Sequence, residues 1–319
     1  MTHRRATALA AALLATQAAA GQAQTALEPL LAPDELVALE AAADPLVLDI
    51  RPASAEGGAP SFASGHIEGA VSAPYGLFRG PEENPGAVPS EAALGEALRA
   101  LGVEAGRPTV IVHQGTDETD FGAAARVYWT LKSSGVEEIA ILNGGVNAWT
   151  EAGRPLSTEA ATPEPSAIEV SFSDEWLATA EDVEAAISGE DEALLLDARP
   201  ESFWAGEEMH AAAARPGTLP QSEYFTHSGW FDAGPAIVDA EAARRLAEEA
   251  GLTGAETLIS FCNTGHWAAT NWFALSELAG VENVKLYPES MVGWSNAGGE
   301  MANVPSRLQT LWSQIRGTF

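Results

Sequence analysis

The lone cysteine of the 319-residue chain, Cys262, lies in the stretch "TLISFCNTGHW". The residues before it are apolar and short, as in a buried strand, and the residues after it show the apolar spacing of a helix. Gly265 permits a tight turn, and a short loop entering a helix N-terminus can direct several backbone N–H groups toward one point. Such donors stabilise a thiolate, so the pattern favours a nucleophilic cysteine over an inert buried one.

Five residues follow Cys262 in this candidate loop, and their roles stay open. The loop residues are Asn263, Thr264, Gly265, His266 and Trp267. The Thr264 hydroxyl can donate to a bound sulfur or cap the next helix, and His266 can supply a donor or positive charge or face solvent. A phosphatase of this design needs an arginine six residues after the cysteine, and that position is Ala268, so phosphate chemistry is disfavoured.

Three unlike segments of the chain recur at nearly equal spacing. "LVLDIRP" (46–52) returns as "LLLDARP" (194–200), and "TVIVHQG" (109–115) returns as "TLISFCN" (257–263), both at an offset of 148 residues. "VEEIAILNGGVNAW" (136–149) returns as "VENVKLYPESMVGW" (281–294) at an offset of 145. The repeat indicates two copies of one domain and pairs Gln114 with Cys262.

Each copy alternates short apolar runs with helical patterns, which predicts an α/β fold of two tandem domains. Each domain is expected to be a mostly parallel sheet with helices on both faces. Ligands bind such sheets at the carboxyl ends of the strands, where Cys262 is predicted to lie. We expect a first domain without the catalytic cysteine at residues 26–156, a linker at 157–167 and a catalytic domain at 168–319.

The recurrent segments together resemble those of the rhodanese family of two-domain sulfurtransferases. The resemblance rests on "LDIRP", "SGHIEGAVSAP" and "LNGGVNAW" in the first copy and on "LDARP", "GTLP" and the six-residue loop from Cys262 in the second. It implies that Cys262 accepts sulfane sulfur as a persulfide and passes it to an acceptor, with loop N–H groups holding the added sulfur. The first copy, with Gln114 and several acids in its loop, would then be structural or form a wall of the cleft.

The resemblance also bears on the sulfur donor. Mercaptopyruvate-preferring members place an arginine four residues after the arginine of their "DAR" segment, and here that position is Phe203. Thiosulfate or a persulfide is therefore the expected donor, and 3-mercaptopyruvate is less favoured. Candidate substrate-binding residues are Arg199, Trp204, His210 and Arg215. Arg199 is alternatively a structural partner of Asp197 in a buried ion pair.

These observations predict an exported sulfurtransferase that takes sulfur from a small donor and gives it to cyanide or a thiol, including a protein thiol. The alternative is a non-enzymatic persulfide carrier or docking module that serves a dedicated periplasmic partner; turnover with small acceptors separates the two. A protein that is only a scaffold, with no sulfur chemistry, is the third hypothesis. No Cys/His cluster has metal-ligand spacing and no glycine-rich phosphate loop occurs, so no metal and no cofactor are expected.

The N-terminal sequence and the charge address location and partners. Residues 1–23 combine an arginine pair, an apolar segment and small residues before a cleavage point, which predicts a signal peptide, of the Sec type more than the twin-arginine type, and a periplasmic protein without a membrane anchor. Removing these residues takes away two arginines and no acid, so the formal charge moves from −29 to −31. So acidic a chain argues against nucleic acid as a partner.

Overall fold

The computed structural model describes residues 27–306. The predicted signal peptide, residues 1–23, lies outside the described residues. The first half contains β1 (Leu30–Leu31), α1 (Pro33–Ala42), β2 (Leu46–Asp49), β3 (Val71–Ser72), α2 (Glu91–Ala100), β4 (Thr109–Val112), α3 (Glu118–Ser133), β5 (Ile139–Leu142) and α4 (Gly145–Glu151). The second half contains α5 (Ala180–Ser188), β6 (Ala193–Asp197), α6 (Glu201–Trp204), β7 (Glu223–Tyr224), α7 (Ala240–Glu249), β8 (Thr257–Phe261), α8 (Trp267–Phe273), β9 (Val284–Leu286) and α9 (Ser290–Asn296).

The two halves form separate parallel sheets. Strand order is β1-β5-β4-β2-β3 in the first sheet and β7-β6-β8-β9 in the second, and all described pairs are parallel. Leu177 bridges to Leu286 of β9 in the place that β1 takes beside β5. The predicted fold of two tandem parallel α/β domains is confirmed.

The sequence explains where the helices around the sites begin. Ser90, Asp117, Thr179 and Asp239 each precede a helix and accept a hydrogen bond from a backbone N–H of its first turn. Such caps satisfy donors that a helix start leaves unpaired. After Phe273, α8 continues as a π-helical turn, Ala274–Leu278, so the predicted helix over "WAATNWFALSELAG" is present with a change of winding.

The two domains pack through α3 and α8, and one apolar core runs across the boundary. Phe121 and Tyr128 of α3 make edge-on ring contacts with Phe273 of α8, with centroids 5.7 and 5.0 Å apart. The Trp129 indole donates to the Trp176 carbonyl at 3.0 Å. The ring contacts hold the C-terminal end of α8 against the first domain, and at the other end of the helix His266 and Trp267 hydrogen-bond to Thr119 of α3. Within residues 27–306, no helix has both the length and the apolar composition to cross a bilayer.

Candidate active site

Cys262 follows β8 directly, at the carboxyl edge of the second sheet. Its neighbour Phe261 pairs with Asp197 at the end of β6, and the Cys262 carbonyl accepts from the N–H of Met291 in α9 at 3.0 Å. The loop from Cys262 to His266 leads straight into α8, which confirms the strand–loop–helix arrangement that the sequence predicts. The cysteine residue is only 1% exposed.

Ser290 fixes the shape of the loop from the start of α9. Its hydroxyl accepts from the backbone N–H groups of Cys262 at 3.0 Å and Gly265 at 3.1 Å, and donates to the Tyr287 carbonyl at 2.8 Å. Gly265 has φ +63°, and a Cβ there would lie 2.5 Å from the Pro288 carbonyl oxygen. Only glycine fits this turn, because both the backbone angle and the space exclude a side chain.

Four other N–H groups of the loop stay open. Within the described residues, no hydrogen bond uses the backbone N–H of Asn263, Thr264, His266 or Trp267. The residue at the N-cap of α8 is His266, and among the described residues no hydrogen bond of the Thr264 hydroxyl to this helix is seen. Donation by Thr264 to a ligand stays a prediction. The loop thus retains backbone donors for an anion at the start of a helix.

Two arginines of the first domain hold the carbonyl side of this loop. Arg79 donates through Nη1 to the Thr264 carbonyl at 2.9 Å and to the Tyr75 hydroxyl at 3.0 Å. Arg126, on α3 and fully buried, donates to the carbonyls of Thr264 at 3.4 Å and Gly265 at 3.3 Å. These contacts place two cations of the non-cysteine domain against the loop that carries Cys262.

The charge of Arg126 has no anionic partner among the described residues. Its Nη2 donates to the Gly86 carbonyl at 2.9 Å, and its Nε is buried without a partner. Burial and, second, the charge of Arg79 lower the pKa of Arg126 to about 9, although negative charge on Tyr75 or Cys262 acts to raise it. Because buried charges are normally paired, this unpaired cation makes the surroundings of the loop favourable for an anion.

His266 connects the loop to the first domain as a neutral ring. Its Nε2 donates to the Thr119 carbonyl at 2.7 Å, so Nδ1 accepts from the Tyr75 hydroxyl at 2.8 Å. Gly122 of α3 makes room for the ring, since a Cβ there would lie 3.0 Å from it. Burial lowers the pKa of His266 to about 4. The lowered pKa and the two hydrogen bonds favour a neutral His266 ring at neutral pH, and Arg79 and Arg126 are the cations that contact the loop.

Arg199 is part of the scaffold beneath the loop. Its guanidinium donates to both carboxylate oxygens of Asp197, to the Gly217 carbonyl at 2.9 Å, and through Nη1 to Asn263 Oδ1 at 3.2 Å. Arg199 is 2% exposed, and each of its three nitrogens is occupied. Arg199 therefore forms the buried ion pair with Asp197 that the sequence suggested, and it anchors the loop through Asn263.

Trp267 lines the junction between the domains. Its ring stacks on His227 with centroids 4.6 Å apart, meets Phe203 edge-on at 6.1 Å, and its indole donates to Thr119 Oγ1 at 3.2 Å. Phe203 in turn lies under the Arg199 guanidinium, 5.7 Å from ring centroid to Cζ. The position that would carry an arginine in a mercaptopyruvate-type site is therefore filled by an aromatic ring.

The other three candidates lie at the end of α6, which is Trp204, and on the segment that follows it, which contains His210 and Arg215. Trp204 packs against Tyr224, with centroids 5.9 Å apart, and its buried indole nitrogen has no partner within residues 27–306. The pKa of His210 is lowered, mainly by burial and secondarily by the charge of Arg79. Arg215 is exposed and donates to the Gly299 carbonyl at 2.7 Å, so it ties this segment to the end of α9. In the part of the chain that the structure describes, no hydrogen bond or ring contact joins Trp204 or Arg215 to Cys262.

The first domain holds a counterpart of this site with different contents. Asp49 pairs with Val112, as Asp197 pairs with Phe261, so the residue in the place of Cys262 is His113. The sequence alignment that pairs Gln114 with Cys262 is wrong by one position, because the second copy has one more residue between its paired strands. Gln114 takes the place of Asn263 instead, and its Oε1 accepts from Arg51 at 3.0 Å.

The first-domain loop is filled by its own carboxylate. Asp120 accepts from the N–H groups of Gly115 and Thr116 and from His113 Nδ1, the last at 2.9 Å. Burial acts to raise the pKa of Asp120, but the hydrogen bond and charge of His113 and the backbone donors outweigh it and lower the pKa to about 2. The counterpart of the open loop thus carries a permanent internal anion.

Sequence reasoning missed Tyr75, Arg79 and Arg126. One signal was present: Arg126 stands within "FGAAARVYW", an otherwise apolar helix face, in a chain with few cations. Among the described residues, no group of three or more His, Cys, Asp or Glu side chains is placed to hold a metal ion.

The sequence model of the rhodanese-like domain family matches this chain twice, at residues 32–152 and 179–297. With two parallel α/β domains and a cysteine loop at the carboxyl edge of one of them, the chain belongs to the rhodanese-like domain family.

Named relatives narrow the class of activity. The chain is 29% identical over 269 residues to a thiosulfate sulfurtransferase of Azotobacter vinelandii, covering 84% of this chain and 94% of the relative. It is 30% identical over 241 residues to a thiosulfate sulfurtransferase of Pseudomonas aeruginosa, covering 75% and 85%. Sulfur carrier protein TtuD of Thermus thermophilus is 29% identical over 219 residues, covering 66% and 75%. Together these relatives support sulfurtransferase activity.

Solved structures agree on the fold. The 3-mercaptopyruvate sulfotransferase SseA of Escherichia coli superposes with a TM-score of 0.69 and 24% identity, over 82% of this chain and 98% of that one. The anaerobic ergothioneine biosynthesis enzyme of Chlorobium limicola gives a TM-score of 0.74 at 20% identity, over 87% and 71%. At these identities the likeness concerns the fold alone.

Proposed function

We propose that this protein is an exported sulfurtransferase that moves sulfane sulfur from thiosulfate or a related small donor to cyanide or a thiol, through a persulfide on Cys262. The observation that carries the proposal is the loop after β8. Its cysteine lies beside open backbone N–H groups of Asn263, Thr264, His266 and Trp267, and two arginines of the first domain lie against the loop. Such a site favours a thiolate and the negative terminal sulfur of a persulfide.

The transfer divides into two displacements at sulfur. In the first, the Cys262 thiolate attacks the outer sulfur of thiosulfate, a new S–S bond forms, and sulfite leaves with the electron pair of the broken S–S bond. In the second, cyanide or a thiolate attacks the terminal sulfur of Cys262–S–S⁻, and the Cys262 thiolate is released. Both steps move negative charge across the loop, where the fixed donors need no reorganisation.

Two observations support thiosulfate or a persulfide over 3-mercaptopyruvate as donor. Phe203 occupies the position where a carboxylate-binding arginine would stand, and Arg199 is fully engaged with Asp197, Asn263 and Gly217. A substrate carboxylate would therefore find no free bidentate partner on this side of the loop. The relatives of Azotobacter and Pseudomonas carry the name thiosulfate sulfurtransferase, in line with this choice.

The test is intact-protein mass spectrometry of wild type and Cys262→Ser, before and after thiosulfate, with cyanide added last. We expect a gain of about 32 Da, one sulfur atom, that requires Cys262 and disappears with cyanide as thiocyanate forms. Cys262→Ala is a second control, because it lacks any nucleophile at the same position. No gain from thiosulfate in the wild type would refute the proposal.

The second candidate is a persulfide carrier that serves a dedicated partner, which the relative named sulfur carrier protein TtuD favours. A carrier loads once, so its mass gain would persist in cyanide and small thiols. Multiple turnovers with cyanide at substrate excess would exclude it.

Export is part of the same proposal and rests on the pattern of residues 1–23. We expect the mature protein in the periplasmic fraction to begin at Gln24. Recovery of the uncleaved chain from the cytoplasm alone would contradict it.

A further inference from the structure

Arg79 and Arg126 belong to the domain that lacks the cysteine, yet both donate to the loop that carries it. Granting the proposed sulfur transfer, we propose that these two arginines are positioning residues for the reaction: they hold the loop carbonyls outward, so that the loop N–H groups face the reacting sulfur, and their charge favours the anionic states of the transfer. The first domain is then a working half of the active site.

Peptide geometry supports the positioning role. In a trans peptide the carbonyl and the following N–H point in opposite directions. Arg79 and Arg126 hold the Thr264 carbonyl, and the N–H on the other side of that peptide, of Gly265, bonds to the Ser290 hydroxyl at 3.1 Å. The same hydroxyl accepts the N–H of Cys262. The arginines therefore hold the side of the loop opposite to the one that meets the cysteine.

The next peptide extends this argument to an open donor. Arg126 holds the Gly265 carbonyl at 3.3 Å, and the N–H of that peptide belongs to His266, which has no partner among the described residues. A cation on a carbonyl oxygen polarises the peptide and strengthens its N–H as a donor. Arg126 thus acts on a ligand through the Gly265–His266 peptide without touching it.

The contacts around the arginines show that their position is built in. The first-domain chain beyond Arg79 passes closely over the second domain: a Cβ on Gly86 would overlap the Pro288 carbonyl oxygen, and Asn84 donates to Glu289 at 3.0 Å. Arg126 Nη2 is fixed by the Gly86 carbonyl of that same segment. Neither arginine is neutralised by a carboxylate within the described residues, so their charge is directed at the loop.

The experiment measures single-turnover sulfur loading from thiosulfate, followed by sulfite release, in Arg79→Ala, Arg126→Lys and wild type. Arg79→Ala is expected to load about 10- to 100-fold more slowly, somewhat less than the loss of a direct oxyanion donor. Methylguanidinium added to Arg79→Ala should restore part of the rate, and methylammonium at equal ionic strength should restore less, because it lacks the planar fork. A purely structural role would give no such rescue.

Arg99→Ala is the matched control. Arg99 also belongs to the first domain and donates to a backbone carbonyl beyond that domain, that of Ile168 at 3.0 Å, but no described hydrogen bond joins it to the loop of Cys262. It removes the same charge and should load within about twofold of wild type. Suppose that the wild type loads sulfur. If Arg79→Ala then loads as fast as the wild type, or if Arg99→Ala loses as much rate as Arg79→Ala, the inference is overturned and the proposed function stands.

If the wild type takes no sulfur from thiosulfate, the proposed function is refuted. The inference about the arginines is then tested by a second measurement that does not need sulfur transfer. The reaction of Cys262 with iodoacetamide, a neutral electrophile, is then compared across the same variants. Slower alkylation in Arg79→Ala than in Arg99→Ala supports the inference, and equal rates overturn it.

Discussion

In the first domain, the loop after β4 surrounds Asp120, whose carboxylate accepts from the N–H groups of Gly115 and Thr116 and from His113. In the second domain, four N–H groups of the loop after β8 have no hydrogen-bond partner among residues 27–306, and the loop lies against two arginines. Both loops rest on the same kind of buried Asp–Arg pair at the end of the preceding strand. The difference teaches that the scaffold is common to both copies, and that the contents of the loop decide whether an anion can enter.

The sharpest test of this comparison moves the cysteine. His113→Cys in a Cys262→Ser background should not load sulfur, with activity at least about 10³-fold below wild type, since a thiol there faces the Asp120 carboxylate and not open donors. Mass spectrometry after thiosulfate checks this. Sulfur bound at position 113 would show that loop contents matter less than the site on the sheet.

The shared scaffold predicts a matched loss of stability. Arg199→Met and Arg51→Met should each lower the free energy of unfolding by about 3–5 kcal/mol, because each leaves a buried carboxylate, Asp197 or Asp49, unpaired. Urea unfolding followed by tryptophan fluorescence measures both. Only Arg199→Met should also slow sulfur loading, through Asn263; equal slowing by Arg51→Met would contradict the separation of scaffold and chemistry.

The Asp120 carboxylate inside the first loop contributes to the stability of the fold. Asp120→Ala should lower the free energy of unfolding by about 2–3 kcal/mol at pH 7, because two backbone donors and His113 lose their acceptor. Since the folded pKa of Asp120 is lowered to about 2, its stabilisation is present above the unfolded pKa and is lost as pH falls through about 4 to 2. Glu118→Ala removes an equal charge nearby as control, and an equal effect there would contradict the assignment.

A smaller effect concerns the link between the domains at acid pH. His266 has a folded pKa of about 4, below its usual value of 6.5, so its contribution to stability is complete above pH 6.5 and is lost as pH falls toward 4. The full shift corresponds to about 3 kcal/mol, and solvent at this partly exposed residue reduces it to about 2. His266→Gln should flatten this dependence in thermal or urea unfolding between pH 7 and 4.

His227 and His210 also have lowered pKa values, so part of the slope will remain in that variant. An unchanged slope would mean that the His266 ring does not stay neutral between Tyr75 and Thr119.

The sequence predicted those parts of the site that are local in the chain. The strand, the cysteine, Gly265 and the helix follow one another within eleven residues, and their order alone fixes the loop at the carboxyl edge of a parallel sheet. The ion pair of Asp197 and Arg199 was equally readable, because the two residues are separated by a single position.

The remaining parts depend on the packing of the two domains. Arg79 and Arg126 precede Thr264 by 185 and 138 residues, and the packing of the two domains brings them to the loop. The pairing of His113 with Cys262 was missed for a different reason: a one-residue shift in strand register cannot be seen by counting along the chain. The neutral state of His266 follows from burial between domains, which no local pattern reports.

The buried Asp–Arg pairs have a consequence for the history of such a chain. Each pair fixes the end of a strand. In the loop that follows β4 or β8, the arginine of the pair bonds to one side chain, Gln114 or Asn263, and the other loop residues do not take part in the pair. After gene duplication, one copy can therefore accumulate changes in its loop while its fold persists under unchanged selection. One domain can thus lose its catalytic residue, and the other keep it, with little effect on the stability of either fold.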